Sequence, residues 1–260
     1  MNIEERLIIL KEPNSLVAES YRSLRAALSR SLAKGKRSFT IVSSWGGEGK
    51  SMVSANLAVA FSQLMMDVVL IDGDLRRPTL SRVFDYENEP GVMEYLESGR
   101  DIGPLIRPSG IERLSVLPAG VSKVNPGNLL GKGTFGDLLQ SEPLREKCLV
   151  LDTSPMSACS DAFLMAARTD GAVMVVSPDK WQGEAEAHYA QDLEDHGIEV
   201  LGVILNNADH AEQTPGSGYG YGYGYGYGYG QGPKGVAYGQ EPEPQPSKGF
   251  FGSLFGRKKE

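Results

Sequence analysis

The run Ser43-Ser44-Trp45-Gly46-Gly47-Glu48-Gly49-Lys50-Ser51 joins closely spaced glycines to a lysine and a hydroxyl. That is what a loop needs to wrap a phosphate chain. Glycines let backbone N–H groups converge on phosphate oxygens, and the start of a following helix adds positive potential. Gly46, Gly47, Glu48, Gly49, Lys50, Ser51 and Met52 are the candidate nucleotide contacts. Lys50 would reach the β- and γ-phosphates, and Ser51 would hold Mg²⁺. Ser44 stands where the general pattern has its first glycine.

Two more charged elements end apolar runs. Leu70-Ile71-Asp72-Gly73-Asp74-Leu75-Arg76 brings two carboxylates and an arginine to a strand end, and Leu149-Val150-Leu151-Asp152 brings another carboxylate. Open α/β sheets place ligands at the carboxyl ends of their strands. Asp72, Asp74, Arg76 and Asp152 therefore join Lys50 as catalytic candidates, with Ser51, Asp74 and Asp152 as the metal set. A polar turn with an exposed Asp–Arg pair is the plain alternative for the first element. Alone, the Asp152 strand is weak, because many strands end in Asp.

These motifs need a scaffold. β-rich runs at 38–43, 68–71, 114–117, 148–151, 172–177 and 200–205 alternate with helical patterns at 50–65, 92–97, 128–140, 161–168 and 182–196. Such alternation predicts an α/β fold with a mainly parallel sheet, and the phosphate loop between its first strand and helix makes that a P-loop NTPase three-layer sandwich. Val17, Tyr21, Leu24, Leu28 and Leu32 step along a preceding amphipathic helix that stops at Gly35. Leu57, Val59, Phe61, Leu64 and Met65 read as sheet-facing core. The domain is expected over 1–207, opening on the helix region 1–35, to which the family resemblance drawn below gives an oligomerisation role.

Composition narrows the function classes. The 260 residues carry 26 Lys plus Arg against 33 Asp plus Glu, a net charge of −7. That excludes a nucleic-acid binder relying on a broadly basic surface, and no nucleic-acid partner is expected. Cys148 and Cys159 are the only cysteines, too few for a disulfide framework. The opening residues lack a signal-peptide layout, and no apolar stretch reaches the ~18 to 20 residues of a membrane span. A cytoplasmic chain whose membrane association is peripheral or partner-borne is expected. His188, His196 and His210 show no metal-site spacing.

Glycine numbers 32, and 11 of these lie between Gly216 and Gly239. Tyr219, Tyr221, Tyr223, Tyr225, Tyr227 and Tyr229 alternate with glycine, and Tyr238 follows. Residues 208–260 cannot bury a core, so they are expected to form a disordered C-terminal tail. It ends in Phe250, Phe251, Leu254 and Phe255 beside Arg257, Lys258 and Lys259, a cluster suited to docking a partner or a membrane surface.

Over roughly residues 12–207 the chain resembles the bacterial tyrosine kinases of capsule and exopolysaccharide systems, in the form without a fused membrane segment. The resemblance rests on the phosphate loop, the Asp72–Arg76 element with Arg77-Pro78, Leu117-Pro118-Ala119-Gly120, Asn125-Pro126, the Asp152 strand and Asp161-Ala162. Glu19, Arg22 and Arg25 match the family's ExxRxxR pattern, which implies a subunit contact in a ring-shaped homo-oligomer. Ser154 replaces a usual proline, and Ser81 a common histidine. Neither change removes a proposed ligand.

The resemblance implies ATP and Mg²⁺ as cofactors, Asp72 as the base for the acceptor phenol, and the seven tail tyrosines named above as phospho-acceptors. It also implies Asn206 near the adenine, a membrane polysaccharide co-polymerase as activator, and a tyrosine phosphatase that resets the chain. Related partition and septum-positioning ATPases carry a lysine just before the loop glycines, where this chain has Trp45. A switch ATPase of that type and a catalytically silent nucleotide-binding scaffold are the alternatives.

Overall fold

A computed structural model describes residues 3–208. The tail tyrosines and the Phe-rich C-terminus lie outside the described residues. Seven strands form one sheet: β1 (Ser38–Ser43), β2 (Val68–Gly73), β3 (Arg107–Pro108), β4 (Leu114–Leu117), β5 (Cys148–Thr153), β6 (Ala172–Val176) and β7 (Val200–Leu205), in the order β3-β4-β2-β5-β1-β6-β7. All neighbours run parallel except β3, which pairs antiparallel with β4 at the edge.

Among the described residues ten α-helices accompany it: α1 (Ile8–Lys11), α2 (Leu16–Leu32), α3 (Lys50–Ser62), α4 (Leu80–Phe84), α5 (Val92–Ser98), α6 (Pro126–Leu130), α7 (Thr134–Gln140), α8 (Glu142–Arg145), α9 (Asp161–Ala166) and α10 (Glu184–Asp195). The expected three layers follow from strand alternation. Val68 and Leu70 of β2, Cys148 and Val150 of β5, and Phe39 and Ile41 of β1 pack with α1 to α4. Val69, Ile71, Leu149 and Leu151 turn the other way, toward α5 to α8. Met174 and Val176 of β6 meet α9 and α10 on that second face.

Some local expectations fail. The 128–140 helix is broken into α6 and α7, because Gly133 takes φ +84° between them. Such backbone suits glycine and ends helical pairing. Leu64 and Met65 lie past the end of α3 and are exposed, so the core stripe stops at Phe61. Val17 on α2 is also exposed, whereas Leu28 is buried. Ser15 caps α2, accepting the Ala18 N–H at 3.2 Å. Among the described residues no helix is long and apolar enough to cross a membrane.

Candidate active site

The site lies at the carboxyl edge of the sheet, where β1, β2 and β5 end side by side. The loop after β1 turns through Gly47 (φ +78°) and Gly49 (φ +90°), conformations that β-carbon-bearing residues rarely adopt. Gly49 is the N-cap of α3, so the amides of Lys50 and the residues after it open toward the loop. Glu48 turns its side chain inward. Fully buried, it accepts the Trp45 N–H at 2.7 Å and the Ser177 N–H at 3.2 Å. Its carboxylate shapes the loop, leaving only its backbone to face a ligand. Asn206 donates to the Glu48 carbonyl at 2.9 Å and so braces the loop from the end of β7.

Asp72 and Asp152 arrive by strand periodicity. Each continues the residues that face α3, and the two are register partners across β2 and β5. Both are fully buried. Asp72 accepts the Leu80 N–H at 3.2 Å through Oδ2, while its Oδ1 has no partner. Asp152 accepts the Ser54 hydroxyl at 3.3 Å through Oδ1, while its Oδ2 has none. Burial first, then the Asp152 charge, pushes the Asp72 carboxyl well above the ordinary carboxylate range. Burial pushes Asp152 up to about 6, against hydrogen bonding from Ser51 and the Lys50 charge. Gly73 separates the two aspartates of β2 because a β-carbon there would lie 2.5 Å from the Asp152 carbonyl oxygen.

Lys50 is nearly buried, and burial pulls its ammonium down against the opposing charges of Asp152, Asp74 and Glu48. Ser51 accepts from the Thr79 hydroxyl at 2.9 Å. Asp74 accepts the Arg77 N–H at 3.0 Å, and burial raises its carboxyl. Lys50, Ser51, Asp74 and Thr79 line, with Met52, Ser154 and Ser157, a cleft of about 710 Å³. Buried carboxylate oxygens without partners are costly unless a cation meets them. Ser51, Asp74 and Asp152 supply the hard oxygen donors that Mg²⁺ takes, so the donor set fits that ion.

Arg76 reaches from the β2 loop across to α9. Its guanidinium grips Asp161 through two hydrogen bonds, Nε to Oδ2 at 2.7 Å and Nη2 to Oδ1 at 3.2 Å, and Nη2 also reaches Asn125 Oδ1 at 3.2 Å. It ties the β2 loop to α9 and α6 while lining the cleft. Thr79, Ser54 and Asp161 enter as site residues that the motif reading gave no role.

The oligomer candidates lie together on α2. Arg22 pairs with Glu19 at 3.0 Å, and Arg25 donates to the Ala60 carbonyl of α3 at 2.9 Å. Trp45 points away from the cleft, its Nε1 donating to Glu186 Oε1 of α10 at 2.9 Å and its ring meeting Tyr189 edge-on.

Known proteins resemble this chain in sequence and in fold. The tyrosine-protein kinase YwqD of Bacillus subtilis is 33% identical over 205 residues, covering 78% of this chain and 86% of that protein. The chain belongs to the bacterial tyrosine kinase family. The putative tyrosine-protein kinase CapB of Staphylococcus aureus is 30% identical, with 77% of this chain and 88% of that protein covered. Among solved structures, the kinase domain of the Escherichia coli tyrosine kinase ETK superposes with a TM-score of 0.74 at 27% identity, covering 84% of each chain. The chimerical protein CapA2B2 gives 0.71 at 30% identity, covering 77% of this chain and 89% of that one. The wider family model described as "ParA: NUBPL iron-transfer P-loop NTPase" matches residues 34–219. This tyrosine kinase chain thus has the P-loop NTPase fold, which implies nucleotide binding. The septum site-determining protein MinD of Pyrococcus horikoshii, at TM-score 0.54 and 24% identity over 65% of this chain and 69% of that one, shares the fold.

Proposed function

We propose that the chain is an ATP-dependent protein-tyrosine autokinase that phosphorylates the C-terminal tyrosine cluster of neighbouring subunits. The observation that carries this reading is the convergence of Lys50, Ser51, Asp72, Asp74 and Asp152 at one sheet edge, with an unpartnered oxygen on each of Asp72 and Asp152.

A phenol with a pKa near ~10 is a poor nucleophile at neutral pH, so transfer gains from a positioned base. Asp72 has the raised proton affinity for that role. As the phenol oxygen bonds to the γ-phosphorus, the bond from that phosphorus to the β,γ-bridging oxygen breaks and ADP leaves. The phenol proton passes to Asp72. Lys50 and the loop amides stabilise charge on the transferring group. Mg²⁺ held by Ser51, Asp74 and Asp152 would neutralise phosphate charge. Arg76, held by Asp161, keeps the Asp74 loop in place.

A flexible linker of the length from Asn207 to Tyr225 would reach roughly 20 to 25 Å, which would suit delivery to a neighbour. Glu19, Arg22 and Arg25 are the proposed subunit contact of a ring. Each added phosphate carries about −1.5 to −2 charge, so a heavily modified tail would repel itself and loosen that ring. Regulation of capsule or exopolysaccharide polymerisation and export, through a membrane co-polymerase and a phosphatase at the inner membrane face, completes the reading.

The test is incubation of the purified chain with Mg²⁺ and γ-labelled ATP, alone and with a candidate activator segment. Label on Tyr219 to Tyr238 that is absent in Asp72→Asn supports the kinase. Phosphate release without protein label would instead support a switch ATPase.

A further inference from the structure

A cation that the phosphate loop does not itself carry rests on its rim. Lys180 closes the short 3-10 turn Pro178–Lys180 after β6. Its ammonium donates to the Gly46 carbonyl oxygen, and a β-carbon on Gly47 would lie 2.6 Å from the same nitrogen. Among the described residues it has no carboxylate partner. A neutral carbonyl is a weaker counterpart for an ammonium than an anionic oxygen. Lys180 also adds positive charge near Lys50, where it disfavours the second ammonium. Two lysines gathered at one glycine loop are repulsive until an anion lies between them.

The turn is clamped to the loop on both flanks. Glu48 binds Trp45 N and Ser177 N, just before the turn. Glu186, 1% exposed, binds Trp45 Nε1 and, at 3.1 Å, Gln182 N, just after it. Asn207 donates to the Ser177 hydroxyl at 3.2 Å. Two buried carboxylates therefore fix the stretch that carries Lys180 against the loop residue that precedes the glycines. Gly46 is the shared wall between the nucleotide cleft and the hollow lined by Trp45, Asp179, Lys180, Trp181 and Gln182.

We infer that Lys180 is a second phosphate-binding lysine, delivered by the turn after β6, which contacts the terminal phosphate of a bound nucleoside triphosphate. The start of α3, with Lys50 and Ser51, serves the phosphates from one limb of the loop, and Lys180 serves them from the Gly46–Gly47 limb. The terminal phosphate carries the most charge and is absent from the diphosphate product. A cation at that position distinguishes the two nucleotides and neutralises charge on the group being transferred. This inference rests on the nucleotide site proposed above.

The experiment is calorimetric titration of the full chain, with Mg²⁺, by the β,γ-imido analogue of ATP and by ADP. Lys180→Met and Lys180→Gln remove the charge, and Lys180→Arg keeps it. One lost charge-assisted hydrogen bond predicts about 10-fold or greater weakening for the triphosphate analogue in both uncharged variants, with ADP changed less than about 3-fold. Lys180→Arg should stay within about 3-fold of the parent for both ligands. Equal weakening for the two nucleotides would mean that Lys180 only latches the loop, and unchanged affinities would mean that it touches neither; each overturns the inference alone. A parent chain that binds neither nucleotide would overturn the nucleotide site and this inference with it.

Discussion

Asp72 and Asp152 stand as register partners on β2 and β5, both fully buried, each with one carboxylate oxygen that meets no donor. Two like charges placed side by side in a low-dielectric interior oppose folding. The nearest compensation is Lys50, whose own ammonium is disfavoured by burial. The arrangement makes sense as a site whose missing counter-charge is a ligand.

Its pH dependence follows in the metal-free protein. Asp152 is pushed up to about 6, from an ordinary 3.8, by burial, and Asp72 is raised well above that ordinary value by burial and by Asp152. Carboxyls with folded pKa above unfolded pKa contribute stability that is fully present below the unfolded value and lost as pH rises through the folded one. In chelator, the unfolding free energy should therefore fall by about 2 kcal/mol between about pH 4 and about pH 7 from Asp152 alone, with Asp72 adding to the fall. Asp72→Asn should flatten that fall, and Mg²⁺ should restore stability at the alkaline end by binding the folded state. Urea titrations across this range test it, and parallel profiles for parent and variant would contradict it.

Much of this site is legible because its chemistry sits at the ends of apolar strands. Asp72 and Asp152 each interrupt an apolar run, and the two-residue period that buries Leu70 and Val150 also aims them at α3. The partners of Arg76 and Trp45 are not legible in that way. Asp161 lies 85 positions from Arg76, and Glu186 lies 141 from Trp45. Only the folded sheet brings them together. Lys180 had a usable signal: it follows the apolar run 172–176 as Asp72 follows 68–71, and the same strand-end rule applies to both. β3 gave none, since Arg107–Pro108 is two residues long and carries a proline.

Arg25 separates an intrachain role from a subunit role. Its hydrogen bond to the Ala60 carbonyl satisfies one of the last acceptors of α3. Arg25→Ala should therefore lower the stability of the dissociated chain by about 1 to 2 kcal/mol. Glu19, mostly exposed in its pair with Arg22, should cost under about 0.5 kcal/mol as Glu19→Ala. Urea unfolding at concentrations where sedimentation shows a monomer measures both. Equal, negligible effects would leave Arg25 without the intrachain role.

The two cysteines should differ in reactivity. Cys148 is buried in β5, and burial pushes its thiol up to about 12, so at neutral pH almost no thiolate forms. Cys159 is partly exposed, with its sulfur 3.0 Å from the Ser154 hydroxyl. Iodoacetamide on the native chain should label Cys159 at least about 10-fold faster than Cys148, and denaturant should abolish the difference. Peptide mass mapping over a time course reads the ratio, and comparable native rates would show that β5 opens readily.

Trp45 and Glu186 join the phosphate loop to α10 through a single indole hydrogen bond at 2.9 Å. Trp45→Phe keeps an aromatic ring near Tyr189 but leaves an oxygen of a 1% exposed carboxylate without its donor. The cost should be about 1 to 3 kcal/mol. Glu186→Gln retains an acceptor oxygen and should cost less. Because the Glu186 contact to Gln182 N helps fix the turn bearing Lys180, both substitutions should also weaken binding of the triphosphate analogue more than they weaken ADP. A double-mutant cycle on unfolding free energy should give a coupling of about 1 kcal/mol between the two residues. Additive effects with an unchanged ratio of nucleotide affinities would detach α10 from the loop.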